Sequence, residues 1–245
     1  MSRLTNKGQG APISLFTKST DASLITACGQ RFDLEDGREV VIVKAGAVDL
    51  VSGKLVQAPA VIANHVNLVV TAYAAANVQL GTPAKVTVTL GATAATENQY
   101  AQGYLIVNDG AGEGQSLKIT GNTAALGSAS CVTSLEAAPV TAITTASNVS
   151  LISDLYKDVI VAPTTLTSKV IGATIYPISI GEYGYIATKG IVSLLADGVV
   201  ATGVAVSPSN AVAGAIESGV IAQGFVGTTV QDTVDTEYRA VSIDL

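Results

Sequence analysis

The sequence predicts an all-β fold of antiparallel sheets, arranged as sandwich- or barrel-like domains with an extended N-terminal arm. Three observations predict it. Several short segments alternate apolar and polar residues with a period of two. Turn signals centred on glycine recur at spacings of about 8–12 residues in the C-terminal third. No long amphipathic helical pattern appears anywhere in the chain.

Residues 1–36 carry Gly8, Gly10 and Pro12, scattered polar residues, and only short apolar pieces such as Ile13–Phe16. That pattern predicts an arm laid on another surface rather than an independent core. Leu4 to Leu34 is the stretch expected to contact a partner. The acidic run Asp33-Leu-Glu-Asp-Gly37 lacks the alternating ligands of a calcium loop and reads as a polar turn into the first strand.

Residues 37–165 form the predicted central β domain. Glu39–Lys44 is an apolar strand closed by charges, and Asp49–Lys54 supplies turn residues, with Gly53 free to take positive φ, before a strand at 55–57. Residues 84–91 alternate most clearly: Val86, Val88 and Leu90 take one face, Lys85, Thr87 and Thr89 the other. A strand over 100–107 enters the turn Asn108–Gly114 and returns as Gln115–Thr120. Residues 132–163 continue with β-branched pieces, and 149–156 fits a strand or a short helical turn equally well.

Residues 166–245 form a predicted small C-terminal β-barrel. Its expected strands are 173–180, 183–188, 191–195, 204–206, 220–226 and 238–243, with turns at Gly181-Glu182 and Asp197-Gly198.

Composition narrows the function. Charged residues make up 13% of the chain, half the usual share, while hydrophobic residues make up 48%. A thinly charged surface is easier to account for in a component of an assembly than in a solitary soluble protein. Net charge is −6 and no basic run occurs, so capture of nucleic acid through phosphate neutralisation is not expected. The N-terminus lacks the apolar core of a signal peptide, and residues 61–70 are broken by Asn64, His65 and Asn67, so no membrane span is expected either.

Reactive constellations are sparse. His65 is the sole histidine and no G-x-S-x-G elbow accompanies it, so a structural imidazole is expected. Cys28 and Cys131 lie far apart, form no metal motif, and read as buried thiols. Gly110-Ala-Gly-Glu-Gly114 lacks the G-K-[S/T] of a phosphate loop and leads into an alternating segment, not a helix. With no Trp, three Phe and eight dispersed Tyr, platforms for sugar stacking are few. Tyr100, Tyr104, Tyr183 and Tyr185 read as core and rim residues of their hairpins. No catalytic, cofactor-binding or metal-binding residue is expected, and no enzymatic activity.

Two stretches carry a resemblance. Ala101–Asn122, followed by the Thr- and Leu-rich 141–160, resembles structural proteins of tailed bacteriophages. Gly181–Gly190, then Gly203–Ser207, Ile221–Gly227 and Tyr238–Leu245, is similar to the small barrel of capsid decoration (cement) proteins. The resemblance implies a non-catalytic virion protein, made in the host cytoplasm. It implies binding to the major capsid protein on the outside of the head, often as a homotrimer, and stabilisation of the shell. Another virion component (tail, baseplate, head fibre or shell protein) and a carbohydrate-binding adhesive module are the alternatives.

Overall fold

The computed structural model describes residues 4–5, 16–220 and 223–245. It is nearly all β, with 42% of residues in strands and 5% helical. In chain order the strands are β1 (Leu4–Thr5), β2 (Arg31–Leu34), β3 (Glu39–Lys44), β4 (Leu55–Gln57), β5 (Leu68–Ala74), β6 (Lys85–Thr89), β7 (Tyr104–Asp109), β8 (Ser116–Asn122) and β9 (Ser130–Leu135). They continue as β10 (Asn148–Ile152), β11 (Ile160–Val161), β12 (Val170–Thr174), β13 (Tyr183–Leu195), β14 (Ala205–Pro208), β15 (Ile216–Ser218), β16 (Gly227–Thr229) and β17 (Tyr238–Asp244).

The chain divides into two compact units, one of residues 1–59 with 155–245 and one of residues 60–154. The division therefore falls at neither 36/37 nor 165/166, the boundaries that composition predicts. Pairing explains the difference. β4 and β11 pair antiparallel, Val56 opposite Val161 and Gln57 opposite Ile160, so the whole second unit is inserted in the connection of a hairpin belonging to the first.

In the first unit, β1-β2-β3-β13-β17-β16-β14-β15 form one continuous path of an 11-stranded sheet, with β4, β11 and β12 branching from it. β3 is an unbroken apolar run because Val40, Val41, Ile42 and Val43 are all buried, on both faces of the sheet. β13 is the spine: residues 183–189 pair with β3 and residues 189–195 with β17. Two separate strands were expected here. Gly190, at φ +97°, carries the backbone through, and a register shift between Ala187 and Lys189 absorbs the irregularity. Ala196 then bridges Ile216 in parallel, so β13, β17, β16, β14 and β15 curl into a half-barrel over Val192, Leu194, Val206, Ile216, Val241 and Ile243.

Two expectations need correction in this unit. Residues 31–34, assigned to the arm, form β2 in the sheet: Phe32 and Leu34 are buried, and Phe32 meets Tyr185 edge-on at 5.8 Å. The alternation Arg-Phe-Asp-Leu and the turn at Asp36-Gly37 fold this segment back on β3, so it belongs to the core. Residues 1–3 and 6–15 of the expected arm lie outside the described residues. The strand expected over 220–226 is absent among the described residues there; pairing residues lie on either side, at 216–218 and 227–229, and Gly224 takes φ +73°.

The second unit is a closed barrel in the order β10-β5-β6-β9-β8-β7, every neighbour antiparallel. Alternation works as expected: Val86 and Val88 face the interior with Leu105, Val107, Ile119 and Leu135. Closure leaves no free edge for another chain to extend. The ladder and the core are complete within residues 60–154, so that fragment is expected to fold alone. Expressed by itself, it should give a β circular-dichroism spectrum and a single cooperative thermal transition; a featureless chain would contradict the division.

The core of the first unit is equally specific. Leu194 is fully buried in the half-barrel. Leu194→Ala should cost about 2–5 kcal/mol, the transfer loss plus the cavity left behind. The urea midpoint for unfolding of the first unit checks this.

Candidate functional site

The chemistry-bearing residues singled out in the sequence are consumed by the fold. His65 ends a short 3-10 turn (Ala63–His65) and is fully buried. Its Nε2 donates to the Thr93 carbonyl at 2.9 Å, and the Tyr100 hydroxyl donates to its Nδ1. A carbonyl only accepts, so Nε2 carries a proton, and Nδ1 is the atom that accepts from the Tyr100 hydroxyl. Burial pushes the Tyr100 phenol well above its usual range, with the nearby Cys131 adding to the shift. Burial likewise raises Cys131, whose thiol donates to the Thr123 carbonyl. A raised thiol is a poor nucleophile. Cys28 is half-buried where a buried thiol is expected; it forms no disulfide, and its thiol donates to the Leu24 carbonyl.

The glycine-rich turn between β7 and β8 has Gly110, Gly112 and Gly114 all at positive φ, as its composition predicts. Its amides point inward: Gly114 N–H donates to Val107, and Glu113 N–H donates to Gly110. The Gln115 side chain donates to the carbonyls of Gly112 and Thr141 and accepts from the Val140 amide. The turn is tied to its own strands, and these amide donors do not converge on a vacant centre. At Asp33–Gly37, Asp36 accepts from the Arg38 amide and guanidinium, which holds its carboxyl below the usual range. Of the four tyrosines read as core and rim, Tyr100, Tyr183 and Tyr185 are buried and Tyr104 is exposed. Among the described residues, no group of three or more His, Cys, Asp or Glu side chains is placed to hold a metal ion.

What the sheet does build is a trough of about 780 Å³ on the outer face of the first unit. Its floor is the outward side of β13 and β17, where Ser193 stands opposite Ala240. Both are small, so the floor is low. Around it stand four large apolar side chains that remain open to solvent: Phe16 (64% exposed), Ile191 (56%), Val51 (53%) and Tyr238 (49%).

Both rings are held in place. The Phe16 ring meets Tyr176 edge-on at 5.7 Å. Tyr176 is itself fixed, its hydroxyl donating to the Thr17 carbonyl at 3.1 Å and accepting from the Tyr185 amide at 2.7 Å. The Tyr238 ring lies against Gly53, where an added Cβ would stand 2.6 Å from two ring carbons. Gly53 also takes φ +69°, as the sequence predicts, so both its conformation and the close approach require glycine. Arg38 is the one charged residue among the described residues that line the trough, and Asp36 already pairs with it.

Tyr176 gives this face a pH signature. Burial pushes its phenol from 10.0 up to about 12. The folded state holds the proton more tightly than the unfolded state, so the stabilisation is complete below pH 10, declines above it, and is lost by about pH 12. Its size is on the order of 2–3 kcal/mol. The difference in alkaline titration between the parent and Tyr176→Phe should show the Tyr176 phenolate appearing late, together with a falling unfolding midpoint of the first unit. A Tyr176 phenolate, read in that difference, that forms near pH 10 while the fold persists would contradict it.

Sequence reasoning named no site residue, and it missed this face. The available signal was outward alternation, Ile191 and Ser193 on one segment and Tyr238 and Ala240 on another. Nothing local says that these segments pair. No family model, curated protein or solved structure matches the chain.

Proposed function

We propose that this chain is a non-enzymatic structural protein of a bacteriophage virion, most specifically a decoration protein that binds the outside of the head and stabilises it. The observation that carries the gripping role is the trough on β13 and β17. Two aromatic rings are fixed there by their own contacts and still face solvent, and aromatics in that state are typical of the anchoring centres of protein interfaces. The thinly charged composition and the resemblance to virion proteins of residues 101–122 with 141–160, and of 181–190, 203–207, 221–227 and 238–245, supply the particle. The partners on this reading are the major capsid protein and further copies of the chain, as a trimer on the shell.

The test is stabilisation of heads. Added to undecorated, expanded heads of the phage that encodes it, the purified chain should raise their resistance to heat and to low salt. Genes for a portal, protease or shell protein should lie beside its own. Heads that break at the same temperature with and without it would overturn the proposal.

A carbohydrate-binding module is the second reading, favoured by Tyr238 and Phe16 standing beside the polar Gln231 and Ser193 in one trough. It requires binding of purified chain to glycans or host cells in the absence of any particle.

A further inference from the structure

The shape and charge of the trough narrow what it takes. We infer that it binds an extended, uncharged, proline-containing segment of a partner protein, held in the polyproline II conformation across Tyr238 and Phe16. This deepens the reading of the trough as the gripping face and rests on that reading.

Four observations converge. The floor strands are bonded to each other in continuous register from Lys189 opposite Asp244 to Leu195 opposite Tyr238. That ladder occupies their facing backbone groups, so recognition at the floor runs through side chains and not through addition of a strand between them. A polyproline II segment suits such a surface, because it brings no hydrogen-bonding requirement of its own and docks on aromatic-lined grooves. The charge argument comes second. Arg38, the one charged described residue in the lining, is paired with Asp36, so a charged ligand would lose water and gain no partner.

Third, the rings are ordered before any ligand arrives, Phe16 by Tyr176 and Tyr238 by Gly53. Pre-ordering lowers the entropic cost of binding and favours a stiff ligand over a floppy one. Fourth, the size of the trough bears on the occupant. A trough of about 780 Å³ is the scale of a single-chain or small-ligand site.

The experiment is fluorescence anisotropy of a labelled Ala-Pro-Leu-Pro-Ile-Pro peptide titrated with the full chain. Saturable binding is expected, weakened about tenfold or more by Tyr238→Ala and by Phe16→Ala, as for anchoring aromatics. Tyr238→Phe keeps the ring and should bind within about twofold of the parent. Ser193→Tyr should block binding by filling the floor, with the unfolding midpoint confirming an intact fold. The same peptide with aspartate in place of leucine and isoleucine should not bind. Absence of saturation, binding indifferent to these substitutions, saturable binding of chitotriose instead, or self-association of the chain abolished by Tyr238→Ala would each overturn the inference. Head stabilisation is read separately. Retained stabilisation without peptide binding sinks this inference alone, and peptide binding without stabilisation sinks the decoration reading alone.

Discussion

Removal of residues 1–34 is expected to abolish cooperative folding of the unit made by residues 1–59 and 155–245, while the 60–154 barrel stays folded. β2 contributes Phe32 and Leu34 to the core, and Phe32 packs edge-on against Tyr185. Burial of two such side chains is worth about 3–6 kcal/mol. Deletion also removes the strand that covers one edge of β3, whose Val40–Val43 run is wholly buried. The exposed apolar edge would then favour aggregation. Together these losses approach the whole stability of a typical domain, about 5–15 kcal/mol. Urea denaturation of the intact chain should show contributions from two units. The truncated chain should retain only the barrel's contribution. A truncated chain with both contributions at unchanged midpoints would show that residues 31–34 are dispensable, as an arm would be.

The second large effect belongs to the barrel. Tyr100 is among the largest fully buried side chains, its hydroxyl serves His65, and its amide donates to Asn122 Oδ1 at 2.8 Å. Tyr100→Ala should cost about 3–5 kcal/mol through the cavity left behind. It also leaves His65 Nδ1 buried without a donor. Tyr100→Phe preserves the volume and removes only the hydroxyl, so it should cost about 1–3 kcal/mol, the penalty of one unsatisfied buried acceptor. In a domain of this size each kcal/mol shifts the melting temperature by roughly 4–8 °C. The ordering Ala below Phe below parent, read on the isolated 60–154 fragment, is the check. Equal melting temperatures for Tyr100→Phe and the parent would remove the hydrogen bond from the account. A double-mutant cycle with His65→Ala isolates the pair, because both residues act on one bond.

How much of this was legible in the sequence depends on how local each feature is. β3, β4, β6 and the hairpin of β7 and β8 were readable because alternation, an apolar run, or a glycine turn marks them within a few residues. The positive φ of Gly53, Gly110 and Gly198 followed from turn chemistry alone. β2 was obscured by the polar residues before it, although Arg31-Phe-Asp-Leu34 carries the right alternation. The division into units was not legible. β4 and β11 are separated by about a hundred residues of chain, and neither Pro59 nor Asp154 stands in a linker-like composition. The trough was hidden for the same reason. Ser193 meets Ala240 only through strand register, and Tyr238 finds its seat on Gly53 only after β13 and β17 are in place. A local pattern reports which face of a strand is wet; it does not report what stands beside it.

His65, Cys131 and the glycine turn at 110–114 each have their hydrogen-bonding capacity used by neighbours within the barrel. Their neighbourhoods are those of core and turn residues, while Phe16 and Tyr238 of the trough lie in the other unit.

Cosedimentation of the chain with phage heads, comparing the parent with Tyr238→Asp, tests the gripping role most directly. Tyr238 is half-exposed, so the substitution should leave the fold intact while placing a charge in the trough. The parent should pellet with heads to saturation and Tyr238→Asp should remain in the supernatant. Equal cosedimentation of the two proteins, or of neither, would contradict it.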